Sequence, residues 1–299
     1  IMSRHFNDPD GIAQSAVLAM LFELSSSPKP GNVDRCHDFP DIGFHHFLAS
    51  AVSSYPVFRK AAVAEGETMR DGESQQSDNG VGSLIFQAVS AWRRWNLSSN
   101  THFGSLTLMI PLALAAARPG KLEDELKSVL AETTVTDAVE FYRAFQLAGA
   151  RVAEVESFSL NDGGWEAALR DSNKTLLDLM RLSAGHDLIA REWSAGYRRI
   201  FLLADRICKE TEQWGINDGT VRSFLQALSE EPDSLISAKF GIDVARRVSE
   251  KAGEALFDPT LRKARELDVD LLEQDINPGS TADLIAAALF ISLLRGLRF

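Results

Sequence analysis

The chain has 299 residues, of which 45% are hydrophobic and 24% charged, so it can bury a large core in one big domain or two small ones. Its formal net charge of −11 argues against nucleic acid as a partner, because binding a phosphate backbone requires a basic face. Cys36 and Cys208 are the only cysteines, too few for a disulfide framework or a structural zinc site.

The chain carries no apparent membrane or export signal. No run of about 18 apolar residues lacks a charged or polar break. No charged-then-apolar leader precedes the first predicted helix. We therefore expect a soluble, cytoplasmic protein that does not bind a membrane.

Apolar residues recur at helical spacing along most of the chain, beginning behind the helix-start signal Asp8-Pro9-Asp10. These patterns predict helices over residues 10–26, 42–61, 79–95, 104–117, 121–131, 134–148, 171–183, 186–212, 217–229, 239–254, 260–272 and 280–297. Loops are predicted from Gly66 to Gly82 and around residues 161–164. Alternating strand patterns are almost absent, so we expect an all-α fold with a single large domain over residues 1–299.

A polar segment interrupts this pattern before the helix predicted at 104–117. Asn100, Thr101 and His102 precede Gly104 and Ser105. A helix that starts there leaves its first backbone N–H groups without partners, and such groups beside polar side chains can hold a phosphate. Taken alone, the segment favours the simpler interpretation of a loop with an ordinary Ser or Thr N-cap.

Two further segments place Pro-Gly against an apolar helix. One is Lys29-Pro30-Gly31-Asn32, and the other runs from Asn277 to Asp283. In the second, Ser280 can cap the helix and Asp283 can close a capping box. A helix start needs neither Asn277 nor a similar segment elsewhere, so we expect the three segments to share one polar site built from helix N-termini and loops.

In sequence and order, these segments resemble motifs of the triphosphoribosyl-dephospho-coenzyme A synthase family. The resemblance rests on Lys29-Pro30-Gly31, on Asn100-Thr101-His102 with Gly104, and on Asn277-Pro278-Gly279 with Asp283. It implies that a hydroxyl of dephospho-coenzyme A attacks the anomeric carbon of ATP. Adenine leaves, and the triphosphate stays on the transferred ribose. ATP and a coenzyme precursor are the implied partners.

The chain differs from the main bacterial members of that family at two places. Phe103 stands where those enzymes usually carry a lysine, and residues 38–50 replace their Gly-Ala-His signature. The sequence therefore resembles a divergent branch found in archaea and some bacteria.

The resemblance also implies roles for individual residues. Nucleotide and phosphate contacts fall on Lys29, Gly31, Asn32, Asn100, Thr101, Gly104, Ser105, Asn277, Gly279 and Ser280. Displacing adenine calls for a carboxylate near the anomeric carbon and a base for the attacking hydroxyl, with His102, Asp38 and Asp283 as candidates. We assign His102 to a phosphate or adenine contact and the base to an aspartate.

Acidic residues and a histidine after Asn32 suggest a metal site. Asp34, His37, Asp38 and Asp41 lie within eight positions. Magnesium typically takes one or two carboxylates and keeps water or phosphate oxygens as its other ligands, so Asp38 and Asp41 suffice to hold Mg²⁺ beside ATP. Alternatively, Asp41 caps the next helix and the others are solvated.

Another polar group lies on the predicted helix that starts near Gly185. Asp187 and Arg191 are four residues apart, which is typical of a surface ion pair. If the helix is buried, Arg191 can bind a phosphate, and Glu192 or Asp187 can contact a ribose hydroxyl or metal-bound water. Lys239 is a further phosphate candidate.

Two other functions stay open from the sequence. One is an ATP-dependent enzyme of another coenzyme pathway, such as pterin-type one-carbon coenzyme assembly, which Phe103 favours. The other is a non-enzymatic helical ligand-binding protein, in which the three segments lie far apart and serve only as caps. A homodimer is also left open.

Overall fold

The computed structural model describes residues 8–39, 42–71, 79–97, 100–149 and 164–299. These ranges contain fourteen α-helices: α1 (Pro9–Ser25), α2 (Phe44–Asp71), α3 (Val81–Trp92), α4 (Phe103–Ala117), α5 (Leu122–Ala131), α6 (Val135–Ala148), α7 (Trp165–Asp171), α8 (Leu176–Ser183), α9 (Leu188–Ala195), α10 (Arg198–Glu230), α11 (Ser234–Phe240), α12 (Ile242–Leu256), α13 (Arg262–Glu273) and α14 (Gly279–Leu294). A 3₁₀ helix, Arg93–Trp95, follows α3. Within the same ranges no sheet occurs, and the all-α prediction is confirmed.

Two helices at the centre of the fold are apolar on all sides. Every residue of α4 from Phe103 to Ala115 is buried, and so is every residue of α14 from Leu284 to Leu293. A helix that is hydrophobic all round is stable only when other elements cover it completely. Helix α14 accordingly packs against α1, α4 and α10. The N-termini of α4 and α14 are therefore set deep within the fold.

Side-chain caps define several helix starts. Asp8 accepts hydrogen bonds from the backbone N–H groups of Asp10 and Gly11 at the start of α1. Helices α6 and α8 each begin with a Thr-Asp capping box. Such caps satisfy N–H groups that the helix itself leaves without partners.

Three predicted helices are broken at residues with positive φ. The helix predicted at 186–212 ends at Gly196 (φ 63°), and α10 starts after Tyr197 (φ 60°). The helix predicted at 171–183 is interrupted near Asn173 (φ 52°), which separates α7 from α8. Gly241 (φ 88°) likewise separates α11 from α12. Apolar spacing continues through such breaks, so periodicity alone does not reveal them.

The structure also corrects two predicted loop and helix boundaries. Helix α2 continues to Asp71, through the first part of the loop predicted from Gly66 to Gly82. Helix α10 joins the segments predicted at 186–212 and 217–229 across Gly215, whose φ of 76° and ψ of 170° form a kink. Residues 72–78 and 161–163 of the predicted loops lie outside the described residues.

Within the described ranges, no single helix is long and apolar enough to cross a bilayer, and only α4 and α5 taken together, with a bend of 117° between them, reach that length and composition.

Candidate functional site

Direct hydrogen bonds bring the three polar segments together. The Asn32 side-chain amide donates to Asn277 Oδ1 at 3.1 Å, across 245 positions of sequence. The Ser105 hydroxyl donates to Asp283 Oδ1 at 2.5 Å, across 178 positions. The expected convergence of these segments is thus confirmed, and the alternative in which they lie far apart is wrong.

Lys29 is completely buried and forms polar contacts with α1 and with its own segment. Its Nζ forms an ion pair with Glu23 and donates to Asn32 Oδ1 and to the Val33 carbonyl, both at 3.2 Å. A lysine ammonium has three hydrogens, and these contacts use all of them. The expectation that Lys29 binds phosphate directly is therefore corrected, because its charge is already matched by Glu23.

The Lys29 ammonium also fixes the direction of two amide side chains. Because Asn32 accepts from Lys29 through Oδ1, its NH₂ group faces the other way and donates to Asn277 Oδ1. Asn277 is partly exposed, and its Oδ1 is used as the acceptor of that bond, so its NH₂ group is not part of it. The Lys29 ammonium thus sets the direction of the amide bond that joins the first and third segments.

Glycine is required at two positions in these segments. Gly31 has a φ of 73°, and a Cβ atom there would lie 2.3 Å from the Ile276 carbonyl oxygen. A Cβ atom on Gly104 would lie 2.0 Å from Asp283 Oδ2 and 2.6 Å from Ile189 Cδ1. Each glycine permits the close approach of another motif or of the chain beside it.

His102 and Thr101 carry buried polar atoms at the start of α4. His102 Nδ1 lies 2.5 Å from the Ser50 hydroxyl oxygen, while its Nε2 and Thr101 Oγ1 are buried with no hydrogen-bond partner among the described residues. Burial lowers the pKa of His102 to about 3, and the charge of Lys29 adds to this effect. Asn100 accepts a hydrogen bond from the Phe103 backbone N–H at 3.1 Å and so caps α4.

The pKa of Asp283 is shifted in the opposite direction to that of His102. Burial raises the pKa of its carboxyl to about 8, and nearby Glu23 and Asp233 raise it further, against the lowering effect of the Ser105 hydrogen bond. Its two oxygens face Ser105 and the backbone of Gly104. Near neutral pH this carboxyl is therefore protonated and uncharged, and the imidazole of His102 is also uncharged, with one of its two ring nitrogens unprotonated.

The N-terminus of α14 is occupied by the carboxylate of Asp233, the residue that caps α11. Asp233 Oδ2 accepts from the Thr281 backbone N–H at 2.7 Å and from its hydroxyl at 2.8 Å, while the Ser280 hydroxyl lies 2.9 Å from Ser234 Oγ. The expected Ser280 cap is corrected, because the helix begins at Gly279 and Ser280 lies inside its first turn. Asp233 supplies the partner that the sequence motif lacks.

A group of possible metal ligands is attached to the first segment. Asp34, His37 and Asp268 each offer one ligand atom, and these atoms lie within 4.8 Å of one another. Asp268 accepts from the Gly31 N–H at 2.9 Å, and Asp34 from the Lys29 N–H at 3.4 Å. His37 Nδ1 lies 3.2 Å from Asp268 Oδ2, yet it is buried without a hydrogen bond among the described residues. Burial raises the pKa of Asp268 to about 6.

The other predicted metal ligands are placed elsewhere. Asp38 is exposed at the start of α2 and accepts from the Phe44 N–H at 2.5 Å. Asp41 lies outside the described residues. Glu192 accepts from the backbone N–H groups of Arg199 and Ile200, both at 3.2 Å, and therefore caps α10.

The predicted phosphate-binding cations are also held by other groups. Arg191 forms an ion pair with Glu231 and donates to the carbonyls of Ala184 and Gly185. Asp187, the expected partner of Arg191, instead caps α9 through the Ala190 N–H at 2.7 Å. Lys239 forms an ion pair with Asp275 at 2.6 Å. The structure brings neither cation into contact with the three segments.

The Phe103 side chain packs among other aromatic side chains. Its ring centroid lies 5.3 Å from that of Phe141 and 5.6 Å from that of Phe145, both on α6. Position 103 therefore contributes to packing between α4 and α6.

Sequence reasoning missed four polar residues of this region: Glu23, Ser50, Asp233 and Asp268. Glu23 is an acidic residue on a buried face of α1, and that mismatch between charge and position is the one signal that could have found it. The other three lie on or beside helices outside the motifs, and no local pattern marks them.

Comparison with known proteins agrees with the geometry. Residues 9–298 match the CitG family, described as ATP:dephospho-CoA triphosphoribosyl transferase. A protein of Pseudomonas syringae pv. tomato named as a 2-(5''-triphosphoribosyl)-3'-dephosphocoenzyme-A synthase is 27% identical, over 94% of this chain and 90% of its own length. A protein of Streptococcus mutans with the same name is 25% identical, over 94% and 95% of the two chains.

A crystal structure reported as a triphosphoribosyl-dephospho-CoA synthase of Archaeoglobus fulgidus is also similar. It superposes with a TM-score of 0.67 at 26% sequence identity, covering 84% of this chain and 100% of its own. The sequence match across nearly the whole chain, the shared fold and the meeting of the three motifs all agree. This chain therefore belongs to the ATP:dephospho-CoA triphosphoribosyl transferase family.

Proposed function

We propose that this protein transfers the triphosphoribosyl group of ATP to a hydroxyl of 3'-dephospho-coenzyme A and releases adenine. The observation that carries the proposal is the pair of hydrogen bonds, Asn32 to Asn277 and Ser105 to Asp283, which joins the three family motifs. Buried polar atoms without partners, Thr101 Oγ1 and His102 Nε2, stand at the same place and suit a bound polar ligand.

We assign the contacts with the ribose and the adenine of ATP to the start of α4 and to Asn277. The first turn of α4 is a favourable place for negative charge, because backbone N–H groups and the helix dipole both point there. Gly104, by lacking a side chain, keeps the Asp283 carboxyl against this turn. The reaction needs a base for the attacking hydroxyl and a proton for the leaving adenine, and His102 and Asp283 differ in protonation in the way these two roles require.

We further propose that Mg²⁺ accompanies ATP. Within the described ranges, Lys29 is the cation among the motif residues, and Glu23 already neutralises it. A triphosphate therefore needs positive charge from another source. Asp34 and Asp268 offer the two carboxylates that Mg²⁺ commonly takes, beside a buried His37 Nδ1 without a hydrogen bond. Magnesium held there would neutralise phosphate charge and orient the triphosphate of ATP.

The metal proposal is tested by nucleotide binding. Asp268→Asn should weaken ATP binding, measured by calorimetry, far more in Mg²⁺ than in chelator, because the substitution removes one metal ligand. Asp270→Asn is the matched control on the same helix, since Asp270 is exposed and pairs with Lys251. Equal weakening in both conditions would assign Asp268 to structure.

The transferase proposal is tested by its products. Incubation with ATP, Mg²⁺ and dephospho-coenzyme A should release adenine without ADP, AMP or phosphate, as followed by chromatography. His102→Gln, which keeps a polar side chain of similar size, should abolish the release while helical circular dichroism is retained. Appearance of ADP or phosphate alone would mean phosphoryl transfer and would overturn the proposal.

The pterin-type alternative receives no comparable support. The family match and the names of the relatives favour the triphosphoribosyl transferase. Phe103, which favoured the alternative, packs against aromatic side chains of α6. Its replacement of a lysine therefore gives no separate argument for a different acceptor.

A further inference from the structure

The two ring nitrogens of His102 have different surroundings. Only 2% of the residue is exposed, and the edge of its ring packs against Phe47 at a centroid distance of 4.9 Å. Nδ1 is anchored 2.5 Å from the Ser50 hydroxyl oxygen. Nε2, on the opposite side of the ring, has no partner among the described residues. One nitrogen is thus fixed by the protein and the other is left for a ligand.

The position of the Ser50 hydroxyl hydrogen decides which nitrogen carries a proton. Ser50 lies in α2, and its hydroxyl donates to the Phe47 carbonyl at 3.1 Å. A serine hydroxyl has a single hydrogen, so in this arrangement its oxygen can only accept from His102 Nδ1. The imidazole is neutral near neutral pH, because burial and the charge of Lys29 depress its pKa. A neutral ring with its hydrogen on Nδ1 has a lone pair on Nε2.

We propose that Ser50 is a positioning residue that holds His102 in the Nδ1-protonated tautomer, and that His102 Nε2 takes the proton from the attacking hydroxyl. This inference rests on the proposed transferase function. A buried lone pair repels phosphate oxygens, so His102 is not a phosphate contact. It suits a ligand that brings a hydrogen, as the acceptor hydroxyl does.

The proton and electron balance of the step is complete with groups at this site. The acceptor hydroxyl loses its proton to His102 Nε2 as its oxygen bonds to the ribose anomeric carbon. The bond from that carbon to adenine breaks, and its electron pair leaves with the base. Adenine becomes neutral by taking one proton, which the protonated Asp283 carboxyl supplies. No oxidant or reductant is required.

The tautomer is tested in the free protein, without substrate. In protein labelled with ¹⁵N-histidine, NMR should show one histidine with a protonated Nδ1 and an unprotonated Nε2, and His102→Gln should remove its signals. Ser50→Ala should shift those signals toward the tautomer protonated at Nε2. A His102 protonated at Nε2 in the wild-type protein would overturn the inference, whatever the enzyme is found to catalyse.

Adenine release tests the consequence for catalysis. Ser50→Ala should lower kcat on the order of 10²-fold, because the base is turned the wrong way, with little change in KM for ATP. Ser50→Thr retains a hydroxyl and should restore much of kcat. Ser54→Ala is the matched control, because Ser54 is also buried in α2 but donates only to the Ser50 backbone carbonyl at 2.8 Å.

The two proposals fail in distinguishable ways. An unchanged kcat in Ser50→Ala, with adenine release intact, would overturn the positioning role alone. Absence of adenine release from the wild-type protein would overturn the transferase function, and the NMR measurement would still decide the tautomer.

Discussion

Replacing Gly104 with alanine should lower both the rate of adenine release and the free energy of unfolding. The added Cβ atom would lie 2.0 Å from Asp283 Oδ2, whereas non-bonded heavy atoms normally stay about 3.5 Å apart, so the carboxyl must move by about 1.5 Å. That movement breaks the 2.5 Å hydrogen bond from Ser105 to Asp283. The substitution therefore acts on the contact that joins two of the motifs.

The expected magnitudes follow from this displacement. Loss of the hydrogen bond costs about 0.5–1.5 kcal/mol, and overpacking adds about 1–3 kcal/mol. The higher helix propensity of alanine offsets about 1 kcal/mol of this. Unfolding in denaturant should thus show a net loss of about 0.5–3.5 kcal/mol. Adenine release should fall by roughly 10²-fold or more, because a displacement of about 1 Å in a catalytic group costs that much.

Gly253→Ala provides the matched control for this experiment. Gly253 lies within α12, and a Cβ atom there would meet only Ser229 Cβ, at 3.6 Å. This control should gain about 0.5–1 kcal/mol in unfolding free energy and keep full activity. If Gly104→Ala retained wild-type adenine release, the reasoning that places Asp283 in the reaction would be wrong.

Three further predictions concern the buried polar network. Glu23→Ala should lower the free energy of unfolding by about 3–5 kcal/mol, measured in urea, because it removes the carboxylate that forms an ion pair with the buried Lys29 charge. Asp283 has a raised pKa, so near neutral pH the folded state binds more protons than the unfolded state. The contribution of this group to stability is therefore fully present below about pH 4 and is lost as the pH rises through about 8. In Asp283→Asn, this component of the pH dependence of the unfolding free energy should disappear. Asn32→Asp replaces the amide donor to Asn277 with an acceptor, which should raise KM for ATP roughly tenfold or more in steady-state assays, by loss of about 1–3 kcal/mol.

The fold class was accessible from the sequence because apolar spacing reports directly on which helix faces are buried. Helix breaks were not accessible where one residue with positive φ turns the chain. Tyr197 and Asn173 are such residues, and neither type marks a break as reliably as glycine does. The uninterrupted apolar spacing on both sides of them favoured single long helices.

For the site, the sequence predicted where polar groups meet but not how their bonds are distributed. From the sequence, Lys29 is predicted to be a free cation, whereas in the structure Glu23 of the preceding helix forms an ion pair with it. The caps and potential ligands Asp233 and Asp268 reach the motifs across 48 and 237 positions of sequence. Such partners are set by tertiary packing, and a local motif contains no information about them.

The bond between Asn32 and Asn277 has a consequence for synthesis of the protein on the ribosome. Because it spans 245 positions, it cannot form until the second asparagine has been added and has left the exit tunnel. At about 5–20 residues per second, Lys29 and Glu23 wait on the order of 10–50 s for the groups that complete their surroundings. During that interval the nascent chain exposes the apolar faces of α1, α4 and α10 that α14 later covers, so chaperone binding to the unfinished chain should concentrate on these three helices.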